Sequence, residues 1–293
     1  MKKLALGCMR LGGLSIEKAE ELINFALENG IEIFDHADIY GNRKCEEIFG
    51  LVLKRNPSFR KRMIIQSKCG ICNSYYDLSK EHIIKQTLES IRLLNCDYLD
   101  VLLLHRPDTL VNYEEVNDAF NYLYDNGLVK SFGVSNMSSM QIELYNKKLD
   151  HKVKYNQVQL SLVHSHIISE GLFFNMSEME SCNRSGNIIE YSQLNDIQLQ
   201  AWSPLMASWA DGCFIDNPKY IELNNKLKEL ANKYKVNKNA IAISWILRHP
   251  AHIIPVLGTT SVVHLKEIIE AKNITLSKEE WYGLYLASNH MLP

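Results

Sequence analysis

YLDVLLLH, residues 98–105, is apolar almost from end to end and closes on a histidine. A strand with one wet face would alternate apolar and polar residues, whereas a parallel strand covered on both faces is apolar throughout. Similar short runs recur on either side of it. IEIFD (31–35) and MIIQSK (63–68) precede it; SFGVS (131–135), NQVQL (156–160), IQLQAWS (197–203) and HIIPV (252–256) follow. With LALGC near the amino terminus the count is eight.

Amphipathic stretches separate these runs. Residues 17–28 place Ala19, Leu22, Ile23, Ala26 and Leu27 on one helical face and stop at Asn29-Gly30. A charged helix begins near Arg43, and Ser79 caps a helix carrying Ile84, Thr87, Leu88 and Ile91. Further helices span 113–126 and start from Ser138. Eight β–α units with no linker or break in composition predict a single-domain (β/α)8 TIM barrel over residues 1–293. Two stretches interrupt the rhythm, 161–184 and 205–217. Long loops after barrel strands carry ligand contacts, so both are expected to be substrate loops, with Phe173, Phe174, Trp209 and Phe214 as an apolar wall.

Composition narrows the function. A formal charge of −2 gives no electrostatic case for nucleic acid or an anionic membrane as partner, and no apolar run approaches the ~18 residues of a membrane span. MKKLALGC loosely resembles a lipoprotein leader, but its apolar core, Leu4–Gly7, is too short for export. It reads better as the first strand. Seven cysteines without a framework spacing fit a reducing cytoplasm.

Four polar residues stand at the carboxyl ends of these strands or just beyond. FDHADIYG (34–41) supplies Asp35 and Tyr40, MIIQSK ends on Lys68, and YLDVLLLH ends on His105. In a barrel such ends converge on one mouth, where Asp35 pairs with Lys68 one strand over, beside Tyr40. A tyrosine of ordinary pKa, near ~10, is a sluggish acid at neutral pH. A neighbouring ammonium stabilises the phenolate and eases proton release, while the carboxylate keeps the lysine charged and fixed. A histidine at the same mouth orients a substrate oxygen. The set suits protonation of a carbonyl oxygen as hydride reaches the carbon.

With these residues in place, the sequence resembles the aldo-keto reductase family along nearly its whole length. Asp35, Tyr40, Lys68 and His105 match the family's catalytic tetrad within FDHADIYG, IIQSKCG and DVLLLHRPD, and GVSN (133–136), YNQVQ (155–159) and AWSPL (201–205) follow in family order. Where the family commonly has Thr or Ser after the first Asp, His36 stands here; the Asp-His-Ala-Asp-Ile-Tyr-Gly form resembles a branch of poorly assigned bacterial oxidoreductases. The resemblance implies NADPH, with NADH as a possible second cofactor, and a small carbonyl or alcohol substrate. It gives the nicotinamide carboxamide to Ser135, Asn136 and Gln157, the nicotinamide face to Trp202, and the pyrophosphate to Ser203 and Leu205. It also sets Cys8 and Met9 beside the nicotinamide. In LGTTSVVHLKEI (257–268) it gives Thr259, Thr260 and Ser261 to the 2′-phosphate and Glu267 to the adenine. His264 occupies the place of a usual arginine and offers a phosphate less than a guanidinium fork does, with Lys266 helping. Absence of a GxGxxG fingerprint argues against a Rossmann dehydrogenase. The alternative within this resemblance is a nucleotide-binding regulatory or sensing subunit with little turnover.

Other signals are discounted. Cys69 and Cys72 form a C-x-x-C without further zinc ligands, and His164 with His166 reads as part of a polar loop rather than a metal site. The charged run from ENGIEIFDH (28–36) to NRKCEE (42–47) reads as a solvated loop and helix start.

Overall fold

Each apolar run forms a strand in the computed structural model, which describes residues 3–293. Met1 and Lys2, part of the stretch weighed as a leader, lie outside the described residues. The chain divides into two compact units, residues 4–157 with 258–262, and residue 3 with 158–257 and 263–293.

The first unit alternates β1 (Ala5–Gly7), α1 (Ile16–Glu28), β2 (Ile33–Asp35), α2 (Lys44–Arg55), β3 (Ile64–Cys69), α3 (Lys80–Leu93), β4 (Val101–Leu104), α4 (Tyr113–Asp125), β5 (Phe132–Ser135), α5 (Ser139–Lys148) and β6 (Val153–Gln159), whose last two residues pass into the second unit. α1 buries the five residues expected of it, and Ser15 caps it by accepting from the Lys18 N–H. Ser79 caps α3 in the same way. The buried face of α3 is turned by about one position from the expected one. Ile83, Thr87, Ser90 and Ile91 are buried while Leu88 faces out.

Two glycines permit close approaches here. A Cβ on Gly50 would lie 1.9 Å from the Leu93 carbonyl oxygen, so only glycine lets α2 lie this near the end of α3. On β5, a Cβ at Gly133 would meet Leu103 Cδ2 at 2.6 Å and Tyr155 O at 2.7 Å.

The second unit holds α6 (His166–Leu172), α7 (Ile188–Leu194), β7 (Gln198–Trp202), β8 (Met206–Ser208), β9 (Gly212–Cys213), α8 (Ile221–Tyr234), α9 (Lys238–Leu247), β10 (Ile254–Leu257), α10 (Val262–Ile269) and α11 (Lys278–Ala287). The loops expected at 161–184 and 205–217 therefore contain a helix and a two-stranded antiparallel hairpin, β8 with β9. Short polar elements of this size leave no clear periodicity to read.

β1 through β7 with β10 hydrogen-bond as a closed barrel in the order β1-β10-β7-β6-β5-β4-β3-β2, the expected (β/α)8 architecture. Among the described residues no helix is long and apolar enough to cross a membrane.

Candidate active site

The register β2–β3 sets Asp35 opposite Gln66, and pairing continues beyond the end of β2: His36 N–H donates to Gln66 O at 2.9 Å and Asp38 N–H to Lys68 O at 3.0 Å. The chain then turns, Tyr40 N–H donating to Ala37 O at 3.1 Å. This continuation aims Tyr40 back over Lys68.

Lys68 is 1% exposed. Its ammonium has three donors and three acceptors: Asp35 Oδ2 at 2.8 Å, His36 O at 2.8 Å and Tyr40 Oη at 3.0 Å. Burial alone would pull its pKa down, but the carboxylate of Asp35 and the phenol of Tyr40 outweigh that and hold it raised. Tyr40 shows the opposite balance. Burial pushes its pKa above the ordinary phenol value although Lys68 pulls it down, so the simple expectation of a lowered pKa is corrected. The phenol remains a protonated donor, and the lysine limits how far burial raises it. The His105 ring lies 6.1 Å from the Tyr40 ring, nearly edge-on. Burial first, then Lys68 and Arg106, push the His105 pKa down to about 2, so the imidazole is neutral.

Asp35 is held by more than its lysine. The Gln157 amide donates to its Oδ1 at 2.9 Å, and the Gln66 amide donates to the same oxygen. Ser135 Oγ donates to Gln157 O at 2.8 Å and Asn136 Nδ2 to Ser135 Oγ at 2.8 Å, with Asn136 in the left-handed region at φ 55°. The structure thus brings Asp35, Tyr40, Lys68, Ser135, Asn136 and Gln157 into one linked set, with His105 against Tyr40.

The other expected contacts have local surroundings of their own. Cys8 is fully buried with its thiol on Leu6 O, while Met9 is exposed. In the second unit Trp202 ends β7 and is half-buried, Ser203 takes φ 52°, and the turn closes by Met206 N–H to Ser203 O at 3.0 Å, just past Leu205. Thr259 and Ser261 form a tight turn, Ser261 N–H to Thr259 Oγ1 at 3.1 Å, with Thr260 between them, directly before the amino end of α10. His264 and Lys266 are exposed on α10, and Glu267 accepts from Asn239 Nδ2 at 3.3 Å. Phe173 and Phe214 are buried core residues, which removes them from the expected wall; Phe174 and Trp209 are exposed. Cys69 is buried and Cys72 half-exposed, and both are free thiols. Among the described residues no group of three or more His, Cys, Asp or Glu is placed to hold a metal.

Three features escaped the sequence reading. Gln66 lies two residues before Lys68, and the two-residue period of a strand puts both on one face; that spacing was the available signal. Arg10 donates from Nη1 to Gly258 O at 3.2 Å and so brings a guanidinium to the 258–261 turn. The NRKCEE run is not solvated as a whole. Glu46 is fully buried, accepting from Ser67 Oγ at 2.7 Å and Arg43 Nη1 at 2.9 Å, and Arg43 also donates to Ser90 Oγ and to Gln86. Asp38 lies 4.0 Å from Arg43 with its Oδ1 buried and unpartnered; burial pushes its pKa up to about 6. Burying the Glu46 carboxylate is tolerable because the Arg43 guanidinium and the Ser67 hydroxyl answer it.

Within the first unit, the side-chain amides at the ends of β5 and β6 and the hydroxyls of the 258–261 turn are of the kinds that suit a carboxamide and a phosphate of a nicotinamide dinucleotide. A model of the aldo/keto reductase family matches residues 3–284. The oxidoreductase YdhF of Escherichia coli (strain K12) is 30% identical over 92% of this chain and 88% of its own length. The 6-dehydroglucose reductase of Agrobacterium fabrum is 30% identical over 97% of this chain and 93% of its own. In three dimensions, the aldo-keto reductase AKR2E4 of Bombyx mori, solved with NADP, matches with a TM-score of 0.72 at 21% identity, covering 99% of this chain and 91% of that one.

Proposed function

The chain belongs to the aldo/keto reductase family, NAD(P)H-dependent oxidoreductases of small carbonyl compounds, and on that premise we propose that it reduces an aldehyde or ketone to an alcohol, with Tyr40 as the proton donor. The observation that carries the reading is the 3.0 Å contact of Lys68 Nζ with Tyr40 Oη, backed by Asp35.

Bound NADPH supplies the hydride that reaches the carbonyl carbon. Tyr40 gives its hydroxyl proton to the carbonyl oxygen, and the phenolate left behind is stabilised by the Lys68 ammonium, which Asp35 keeps charged. Neutral His105 donates a hydrogen bond to the same oxygen and fixes its direction. Gln157 would help hold the carboxamide, with its side chain fixed by its N–H to Asp35. Ser135 and Asn136 would complete that contact, Cys8 and Met9 would line it, and Trp202 would supply an aromatic face for the ring. Ser203 and Leu205 follow the pyrophosphate. Thr259, Thr260, Ser261 and Arg10 take the phosphate end, His264 adding little as a neutral ring, and Glu267 serves the adenine. NADPH is the preferred cofactor and NADH a weaker one.

All seven cysteines are free, which supports work in a reducing cytoplasm. A regulatory role is not favoured, because the similar relatives include an oxidoreductase and a 6-dehydroglucose reductase.

Tyr40→Phe tests the reading. Carbonyl reduction by the variant should fall at least ~100-fold, as loss of a general acid implies, while NADPH binding, followed by tryptophan quenching, stays within twofold. Retained turnover would remove Tyr40 from the role, and a wild-type protein that binds neither cofactor would remove the reductase reading itself.

A further inference from the structure

Gln66 is fully buried, on the strand that carries Lys68, and its amide faces the Asp35 carboxylate. An amide oxygen turned that way would set acceptor against acceptor, so the N–H is the group that points there. Gln157 donates to the same Oδ1 at 2.9 Å, and Lys68 Nζ lies 2.7 Å from Oδ1 and 2.8 Å from Oδ2. Three side chains therefore share one carboxylate, two of them neutral.

We propose that Gln66 is a positioning residue of the reaction: with Gln157 it occupies the Asp35 carboxylate, so that Asp35 anchors the Lys68 ammonium without drawing it away from the Tyr40 hydroxyl. The inference rests on the reading of Tyr40 as proton donor.

The physical reason lies in how the ammonium divides its three N–H bonds. Its contacts with the two Asp35 oxygens are 2.7 and 2.8 Å, that with His36 O is 2.8 Å and that with Tyr40 is 3.0 Å, the longest of them. A buried carboxylate stripped of a neutral donor is left with more of its charge unanswered. It would then pull the ammonium closer and weaken the contact with Tyr40. Its field on the phenol, already unfavourable to the phenolate, would also grow. Both changes raise the cost of forming the phenolate. Two amide donors damp the carboxylate enough to keep Lys68 charged while leaving it shared. A lone aspartate would keep the lysine charged but hold it too tightly.

Gln66→Met keeps the length of the side chain and removes the donor. Both proteins are labelled throughout with 3-fluorotyrosine, which lowers phenol ionisation into a range the fold withstands, and titrated by 19F NMR without cofactor. The Tyr40 resonance is the one missing from Tyr40→Phe. In Gln66→Met it should titrate about one pH unit higher than in the wild type, and carbonyl reduction should fall about tenfold with NADPH affinity unchanged. A Tyr40 resonance that titrates as in the wild type overturns the proposal, even if the variant melts lower or turns over more slowly, because packing alone would cause those losses. Should Gln66→Met not fold, Gln157→Met puts the same question to the other donor: an upward shift supports the damped carboxylate and an unchanged titration overturns it. The titration needs no turnover. Failure of the reductase reading would appear separately, as a wild-type protein inert toward carbonyl compounds.

Discussion

Lys68 donates to Tyr40 Oη across 3.0 Å from a position almost sealed from water, and its counter-charge, Asp35, is sealed with it. A buried ion pair is most costly when half of it is removed. Lys68→Met should lose stability by roughly 3–5 kcal/mol in urea unfolding, because Asp35 is left as an unpaired buried carboxylate. Adding Asp35→Asn should recover much of that loss and none of the activity. A single variant as stable as the wild type would mean that the pair is not desolvated as described.

Arg10 gives the 258–261 turn a guanidinium where the following helix offers only an exposed histidine and lysine. Arg10→Met should raise the Kd for NADPH about tenfold and leave that for NADH nearly unchanged, as expected when one charge-assisted contact to the 2′-phosphate is lost. Equal weakening of both cofactors would move the contact to the pyrophosphate they share.

Asp38 carries a pH signature. Burial raises its pKa from 3.8 to about 6, so the fold favours the protonated acid. Its contribution to stability is fully present below the ordinary carboxylate pKa and is lost as pH rises through about 6. Asp38→Asn should therefore be more stable than the wild type at pH 8, by roughly 1–3 kcal/mol, and no more stable at pH 4. Denaturant curves at the two pH values decide it; a gain of equal size at both would point to shape rather than charge.

His36 predicts the reverse slope. Burial, then Lys68, depress its pKa from 6.5 to about 3, and neither ring nitrogen has a hydrogen-bond partner. The fold requires the neutral ring, so its contribution is present above pH 6.5 and drains away as pH falls toward 3. Over that window His36→Leu should flatten the loss of stability by up to about 1.4 kcal/mol per pH unit, the value for one proton. An unchanged slope would mean that His36 is not the group being charged.

Much of this was legible beforehand because the signals are local. The eight apolar runs announce strands whose faces are all covered, and the face of α1 follows from spacing alone. The meeting of Asp35, Tyr40, Lys68 and His105 was legible because each closes or follows a strand. What remained hidden depends on partners distant in sequence. Gln66 looks like an ordinary polar residue until Gln157, 91 positions later, is seen on the same carboxylate. Arg43 and Glu46 look solvated until Ser67 and Ser90 close over them. Phe173 and Phe214 sit in stretches without periodicity, where neither burial nor exposure leaves a pattern.

β3 is only six residues long, yet neighbouring positions on it serve opposite sides: Gln66 and Lys68 meet Asp35, while Ser67 between them steadies Glu46. In a directed-evolution campaign this strand is the wrong place to diversify. A library randomised there would disturb the Asp35–Lys68 pair and the seat of Glu46 together, whereas variation in the exposed stretches around Phe174 and Trp209 leaves both intact.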